Sequence, residues 1–399
     1  MVCKKVCVIG LGYIGLPTAA LLANRNYVVH GVDVQEHVVN TINRGEIHIV
    51  EPELYTFVKL AVQSGNLRAS LVPDYADVFI IAVPTPFHEN HVPNIDYVIS
   101  ATKSIIKYIK PGNIIILEST SPVGTTYKME QILKEGGVDV NSIYIAYCPE
   151  RVLPGYIMKE LIENDRIVGG NTAKASQLVK DFYTTFVSGE IMITDSRTAE
   201  MAKLVENSYR DVNIAFANEL SILCDKFQIN VWELIKLTNH HPRVKILQPS
   251  AGVGGHCIAV DPWFIVHAGG EDAKLIKQAR LVNNGKTEWV FRKIKSLASD
   301  FENKNNRKPV IACMGLAFKP NIDDLRESPA LDITTKLINE NYSIIAVEPN
   351  ISHHTKVKIV AIEEAIVKAD IVVFLVAHEQ FKNLSLVGKI VFDICGINQ

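Results

Sequence analysis

Uninterrupted apolar runs at 6–9, 28–32, 78–83, 114–117 and 143–146, separated by segments of helical length, predict strands buried on both faces. Such strands belong to a parallel sheet covered by helices on each side. The same rhythm returns at 310–314, 344–347, 371–376 and 390–392, and Ala369-Asp370-Ile371-Val372-Val373 echoes Ala76-Asp77-Val78-Phe79-Ile80. Between the two regions, Thr198, Met201, Leu204, Val205, Val212, Ala215, Phe216 and Leu223 recur at helical spacing, which predicts one long helix capped by Asp195 or Ser196. The polar run at 302–308 has no apolar anchor and predicts a linker within 300–309. The expected fold is α/β, with two Rossmann-like, doubly wound parallel-sheet domains at 1–194 and 301–399 joined by a helical central domain at 195–300 with its long connecting helix.

Composition narrows the function classes. The chain has 399 residues, 48% of them apolar and 21% charged, the mixture of a globular enzyme of more than one domain. With 41 basic and 43 acidic side chains the net charge is -2, so no global field draws the chain to nucleic acid or an anionic membrane. No apolar run is long enough to span a bilayer, and the first ten residues lack the pattern of a signal peptide, which points to the cytoplasm. The seven cysteines, Cys3, Cys7, Cys148, Cys224, Cys257, Cys313 and Cys395, are scattered and odd in number, as reduced thiols are. Cys3, Cys7, Cys224 and Cys313 read as small core residues. The pairs His240-His241 and His353-His354 have no companion cysteines at zinc spacing, and no metal is expected.

The strand at 6–9 runs into Gly10-x-Gly12-x-x-Gly15, a dinucleotide fingerprint whose glycines permit a tight turn, the approach of a pyrophosphate and close packing of helix on strand. A glycine turn without a ligand is the competing reading. The second strand ends at Asp33, suited to the ribose hydroxyls of NAD, and no arginine follows closely to receive a 2′-phosphate. Thr85, Thr120 and Thr126 lie at strand ends that border the expected crevice, although threonines beside prolines are also ordinary turn residues. Far downstream stands Cys257, in Gly252-Val253-Gly254-Gly255-His256-Cys257, with Asp261 four residues on. The glycines are expected to clear the approach to the thiol, and a helix beginning at or just after Cys257 would favour the thiolate. Hydride transfer combined with a nucleophilic thiol suggests an oxidation that continues past the aldehyde, through a thioester, to an acid. On the long helix Lys203, Asn207 and Arg210 form one polar row, which is either part of a site or a solvated face. A second glycine turn, Gly315-Leu316-Ala317-Phe318-Lys319-Pro320, followed by Arg326, suits a second phosphate-bearing ligand; pattern alone slightly favours a solvated loop with local ion pairs.

These residues, together with the runs INRGEIHIVEPEL, AVPTPF, LESTSPVGTT, YCPERVLPG, NSYRDVNIAFANELS, HPRVKILQPSAGVGGHCIAVDPWF and GLAFKPNIDDLRESPA, resemble the UDP-glucose/GDP-mannose dehydrogenase family over essentially the whole chain. The resemblance implies NAD-dependent oxidation of C6 of a nucleotide sugar, twice, to the uronic acid. It points to UDP-N-acetyl-D-mannosamine, with UDP-N-acetylglucosamine or UDP-glucose as alternatives, to surface polysaccharide biosynthesis, and to a homodimer or higher homo-oligomer. By the same resemblance Cys257 is the nucleophile, Lys203 and Asn207 stabilise the oxyanion, Lys203 also moves a proton, Asp261 handles Lys203 or the hydrolytic water, and Glu150 and Thr120 hold water. Arg151, Val152, Arg210 and Gly254 fall at sugar-nucleotide contacts, Phe318 and Lys319 on the uridine-diphosphate side, and His241 and Arg243 in a segment that reaches a neighbouring subunit's substrate. Gly10, Gly12, Tyr13, Ile14, Gly15, Asp33, Thr85, Thr126 and Arg326 fall where the family binds cofactor. One departure is Asp393-Ile394-Cys395-Gly396-Ile397, where relatives tend to place a lysine or arginine after the last strand. Two readings compete with the enzyme: a non-catalytic nucleotide-sugar sensor, which has no use for the reactive set, and a decarboxylating 3-hydroxy-acid dehydrogenase, which has no use for Cys257 or a final nucleotide-binding domain.

Overall fold

The computed structural model describes residues 5–88, 91–255, 257–351 and 353–397, and Cys3 lies outside them. The chain divides into two compact units, residues 1–205 and 206–399, with the division inside the long helix Ser196–Phe227. In the first unit β1 (Lys5–Ile9), β2 (Val28–Val32), β3 (Leu67–Ser70), β4 (Val78–Ile81), β5 (Ile114–Leu117), β6 (Tyr144–Tyr147), β7 (Arg166–Gly170) and β8 (Ile191–Asp195) form one sheet in the order β3-β2-β1-β4-β5-β6-β7-β8. Every pairing is parallel except β6 with β7. Alternate side chains of β1 enter two separate cores, Val6 and Val8 on one face, Cys7 and Ile9 on the other. Both faces are therefore apolar, and the strand reads as a continuous run. The strand order reverses between β1 and β4, which leaves a crevice at their carboxyl ends.

The first unit buries a polar cluster beneath that edge. Arg166 Nη2 donates to Glu150 Oε2 at 3.1 Å, and its guanidinium lies 4.7 Å from the centre of the Tyr183 ring. The Tyr183 hydroxyl donates to Glu118 Oε1 at 2.5 Å. Burial pushes the Glu118 carboxyl up to about 7, against the opposing pull of Arg166.

The second unit carries β9 (Val310–Met314), β10 (Ser343–Val347), β11 (Ile371–Phe374) and β12 (Ile390–Asp393), a parallel sheet in the order β10-β9-β11-β12. Helices Val231–Thr238, Asp261–Gly269 and Lys274–Asn305 precede it. The expected linker at 300–309 is corrected: residues 302–305 continue the helix Lys274–Asn305, and the chain turns at Asn306, whose φ is 53°. Phe301 is buried with the Arg307 guanidinium 4.9 Å from its ring centre, which anchors the last turn that the polar run conceals. The long helix begins as expected, with Asp195 accepting from the Thr198 backbone N–H at 3.0 Å and its hydroxyl at 2.6 Å. Of the cysteines read as core thiols, Cys7, Cys224 and Cys313 are buried.

Two helices of 32 residues each, Ser196–Phe227 and Lys274–Asn305, are joined by a ladder of side-chain contacts. Arg280 Nη1 donates to Asp211 Oδ1 at 2.6 Å, Asn218 Nδ2 to Asn283 Oδ1 at 2.9 Å, Lys286 Nζ to Ser221 Oγ at 2.8 Å, and Lys293 Nζ to Asp225 Oδ2 at 2.8 Å. The partners advance together along the sequence, so the helices run in the same direction. Asp211 is wholly buried, and burial raises its pKa while Arg280 pulls it back.

Replacing Arg280 by Met leaves Asp211 buried without its counter-charge and is expected to cost about 3–5 kcal/mol in urea unfolding. A loss within the scatter of surface substitutions would show the pair to be idle. Glu118 makes a pH-dependent contribution. Its folded pKa lies above its unfolded one, so the folded state binds the extra proton, and stability is lost as pH rises from about 4.5 to about 7. Glu118→Gln removes this slope, and the stability of the variant relative to wild type is expected to grow between about pH 5 and about pH 8; a constant difference contradicts the assignment.

Candidate active site

The glycine loop after β1 has little room for side chains. Gly10 has a φ of +90°, and a Cβ there would lie 2.6 Å from the Ala82 carbonyl oxygen; a Cβ on Gly15 would lie 1.8 Å from the Gly10 carbonyl oxygen. Above Gly12 the space is open, with no atom within 4 Å of a Cβ position. The next helix, Gly15–Asn24, starts directly from the loop, with Tyr13 and Ile14 in the turn before it. At the end of β2, Asp33 accepts from the backbone N–H of Leu11 and of Gln35, each at 3.0 Å. A tight loop, an open approach and an acid fixed at the second strand's end form a cradle that fits the pyrophosphate and ribose of NAD.

Across the strand-order reversal, Thr85 Oγ1 donates to the Thr120 carbonyl at 2.6 Å, so the structure brings these two residues together. Thr126 is different. It is wholly buried, and its hydroxyl and backbone N–H donate to Glu200 Oε1 at 2.6 and 2.7 Å, while the Gly124 N–H donates to Oε2 at 2.6 Å. Glu200, on the long helix, thus caps the helix Thr125–Glu135, and burial raises its pKa. The sequence shows no local sign of this role. Glu150 is engaged at both oxygens, by Arg166 and by the Arg151 N–H at 2.7 Å. Arg151 Nη1 donates to the Asp165 carbonyl at 3.1 Å, and Val152 packs on the adjacent core.

In the second unit, the turn of Cys257 leads into the helix Asp261–Gly269. The Cys257 carbonyl accepts from the N–H of Val260 at 3.0 Å and of Asp261 at 2.8 Å. The helix therefore begins four residues later than a start at Cys257 would place it, with a single turn between. The thiol residue is exposed, whereas Asp261 is buried and accepts from Asn207 Nδ2 at 2.5 Å. Lys203, Asn207 and Arg210 stand on successive turns of one helix, Lys203 and Asn207 half-buried and Arg210 exposed.

The glycines Gly254 and Gly255 ahead of Cys257 have a packing purpose that the sequence did not show. A Cβ on Gly254 would meet the Glu327 carbonyl oxygen at 2.5 Å and Phe318 at 2.8 Å, and one on Gly255 would meet the Phe318 ring at 2.9 Å. They let the Cys257 loop press against the second glycine turn, where the Gly255 N–H donates to the Arg326 carbonyl at 3.1 Å. Phe318 is thereby set beside the Cys257 loop, with Lys319 exposed next to it. The Arg326 guanidinium forks onto Asp324 at 2.6 to 3.0 Å, as a local ion pair. His241 and Arg243 are exposed, on a loop that Asn239 clamps by hydrogen bonds to Ile246 O and N at 3.0 and 2.7 Å.

Two further residues complete the second glycine turn and were not legible in the sequence. Glu348 Oε2 accepts from the N–H of Leu316 at 2.8 Å and of Ala317 at 2.9 Å, and from His378 Nε2 at 3.0 Å. Burial opposes the charge of Glu348, but the His378 hydrogen bond and these N–H groups outweigh it and hold the carboxyl below its ordinary range.

Family models match in sequence: the NAD binding domain of the UDP-glucose/GDP-mannose dehydrogenase family at residues 4–187, its central domain at 197–285 and its UDP binding domain at 312–399. The chain is 56% identical over 396 residues to a protein of Campylobacter jejuni named UDP-N-acetyl-D-mannosamine dehydrogenase, covering 95% of this chain and 96% of that one. It is 50% identical over 411 residues to an NDP-N-acetyl-D-galactosaminuronic acid dehydrogenase of Ralstonia nicotianae, covering 99% and 96%. Among solved structures it resembles the UDP-N-acetyl-mannosamine dehydrogenase of Staphylococcus aureus, with a TM-score of 0.87 and 40% identity over 99% of this chain and 95% of that one. A dehydrogenase of Pyrococcus horikoshii described as acting on UDP-D-ManNAc gives a TM-score of 0.88 at 38% identity, covering 99% and 96%. The chain belongs to the UDP-glucose/GDP-mannose dehydrogenase family and is an NAD-dependent oxidoreductase.

Proposed function

We propose that the chain oxidises C6 of UDP-N-acetyl-D-mannosamine to UDP-N-acetyl-D-mannosaminuronate in two steps, through a thiohemiacetal and a thioester on Cys257. The observation that carries this reading is an exposed Cys257 one turn ahead of a buried Asp261 that holds Asn207 by a 2.5 Å hydrogen bond. Relatives at 56% and 54% identity, from Campylobacter jejuni and Escherichia coli strain K12, are named for this sugar and support it. NAD, held by Gly10, Gly12, Tyr13, Ile14, Gly15, Asp33 and Thr85, supplies the hydride acceptor for each oxidation.

Lys203, or a water held by Glu150 and Asp261, takes the C6 hydroxyl proton as C6 gives up its first hydride. Both oxygens of Glu150 are already engaged, which favours Lys203. The Cys257 thiolate then adds to the aldehyde carbon, and Lys203 and Asn207 stabilise the resulting oxyanion. Loss of the second hydride leaves a thioester, and water, positioned by Thr120 and Asp261, cleaves it to release the carboxylate and restore the thiol. Arg151, Val152, Arg210, Gly254, Phe318 and Lys319 bind the nucleotide sugar, while His241 and Arg243 reach the substrate of a neighbouring copy. That neighbour is a second copy of this chain, docked on Tyr209, Phe216 and Leu223, exposed apolar residues at seven-residue intervals on the long helix. The product enters surface polysaccharide biosynthesis in the cytoplasm, and among the described residues no helix is long and apolar enough to cross a membrane.

A second reading keeps the chemistry and changes the sugar to an N-acetylgalactosamine nucleotide, favoured by the 50% identity to the Ralstonia nicotianae protein.

With limiting UDP-N-acetyl-D-mannosamine the enzyme is expected to form two NADH per sugar, and Cys257→Ser to lose acid formation by about 10³-fold or more while still folding. Acid formed by the variant at the wild-type rate would sink the thioester route, and turnover with only an N-acetylgalactosamine nucleotide would move the assignment to the second reading. Asp261→Asn preserves the shape at Asn207 and removes the charge; kcat is expected to fall about 10²-fold with little change in KM. An unchanged kcat would remove Asp261 from the chemistry.

A further inference from the structure

A cavity of about 620 Å³ opens in the second unit between the carboxyl-terminal half of the long helix, the start of helix Val231–Thr238, the helix Lys274–Asn305 and the turn after β12. None of its lining residues belongs to the proposed catalytic set. Lys286 is 2% exposed and lines this cavity. Its ammonium donates to Ser221 Oγ at 2.8 Å and sits 4.0 Å from the centre of the Trp289 ring.

The other charged groups on the wall have partners of their own. Asp225 is paired with Lys293 at 2.8 Å. Asp393 accepts from the N–H groups of Cys395, Gly396 and Ile397 at 3.2, 2.8 and 3.2 Å. Cys224 is a buried thiol whose pKa burial raises, so it adds no charge. Of the two cations on the wall, Lys293 is paired with Asp225, and the Lys286 ammonium is held by Ser221 with no carboxylate at ion-pair distance among the described residues. Trp232 and Phe392 line the cavity, and a Cβ on Gly396 would lie 2.8 Å from the Trp232 ring, so the carboxyl-terminal turn packs directly on that ring.

We propose that this cavity is a second ligand site that takes a ring-bearing monocarboxylate, its carboxylate on Lys286 and its ring against Trp232 and Phe392. A carboxylate answers the cation that lacks an ion-pair partner, and aromatic lining residues suit either a sugar ring or an aromatic ring. Burial lowers the Lys286 pKa to about 7, with Asp225 opposing, so the amine loses its charge within the physiological range. A carboxylate binds only the charged form. The affinity is accordingly expected to fall about tenfold between pH 6 and pH 8, because the protonated fraction falls by that factor.

The test is calorimetric titration of the purified protein with D-glucuronate and with benzoate, beside the uncharged methyl glucoside and benzyl alcohol. Binding of one or both acids at millimolar concentration, weaker at the higher pH and abolished in Lys286→Met, supports the site, and the acid that binds identifies the ring. Ile229→Trp, at an exposed position on the cavity wall, should also abolish binding and serves if Lys286→Met does not fold. NADH formation is expected to persist in both variants. The proposal is overturned if neither acid binds, if the uncharged compounds bind as well, if affinity is indifferent to pH, or if both variants bind like the wild type.

Discussion

The second unit depends on the ladder of polar contacts between its two long helices. An apolar seam tolerates sliding by a turn at modest cost, but Asp211 with Arg280 and Asn218 with Asn283 are directional and buried, and a shift of register would strand all four. The ladder also extends to the loop that leads towards Cys257, because Asn218 Oδ1 accepts from the Ser250 N–H at 2.8 Å and Thr287 Oγ1 donates to the Ala251 carbonyl at 3.1 Å. The place of the thiol along the long helix is thus fixed by residues outside the proposed catalytic set.

From that loop onward the constraint passes to close contact. Gly254 and Gly255 admit the Phe318 ring and the backbone at Glu327 where any side chain would collide, and Asp261 joins the end of the loop to Asn207. Small residues in one segment and an aromatic ring sixty-odd positions later hold each other in place. A substitution at Gly254 would act as a packing fault before it acted on chemistry.

The fold was largely legible because most strands are buried on both faces and carry little besides apolar side chains. The strands that escaped have identifiable reasons. β3 is an edge strand reading Leu-Arg-Ala-Ser, with Arg68 exposed and Ser70 half-buried; β7 opens with Arg166 and ends in two glycines; β8 exposes Met192 and Ile193 on the opposite edge. Cys257, Asp261 and Asn207 stood out by spacing and resemblance, and of these the structure joins Asn207 to Asp261 by a hydrogen bond. Glu200, Glu348 and His378 did not stand out, since each acts on a loop distant in sequence, and a single glutamate or histidine carries no pattern. The glycines before Cys257 were found, but their reason lay in Phe318, which periodicity cannot pair with them.

The two glycine turns are built alike up to one point. Gly10 donates its N–H to Val32 O and Gly315 to Val347 O, each at 2.8 Å, and an acid at the next strand's end, Asp33 or Glu348, receives the N–H of the following leucine. In the first turn the acid is part-exposed; in the second it is buried and already bound to His378. The oxygen of Glu348 that takes the leucine N–H is also held by a histidine. The same turn thus presents a half-exposed acid in one unit and a buried, histidine-bound acid in the other.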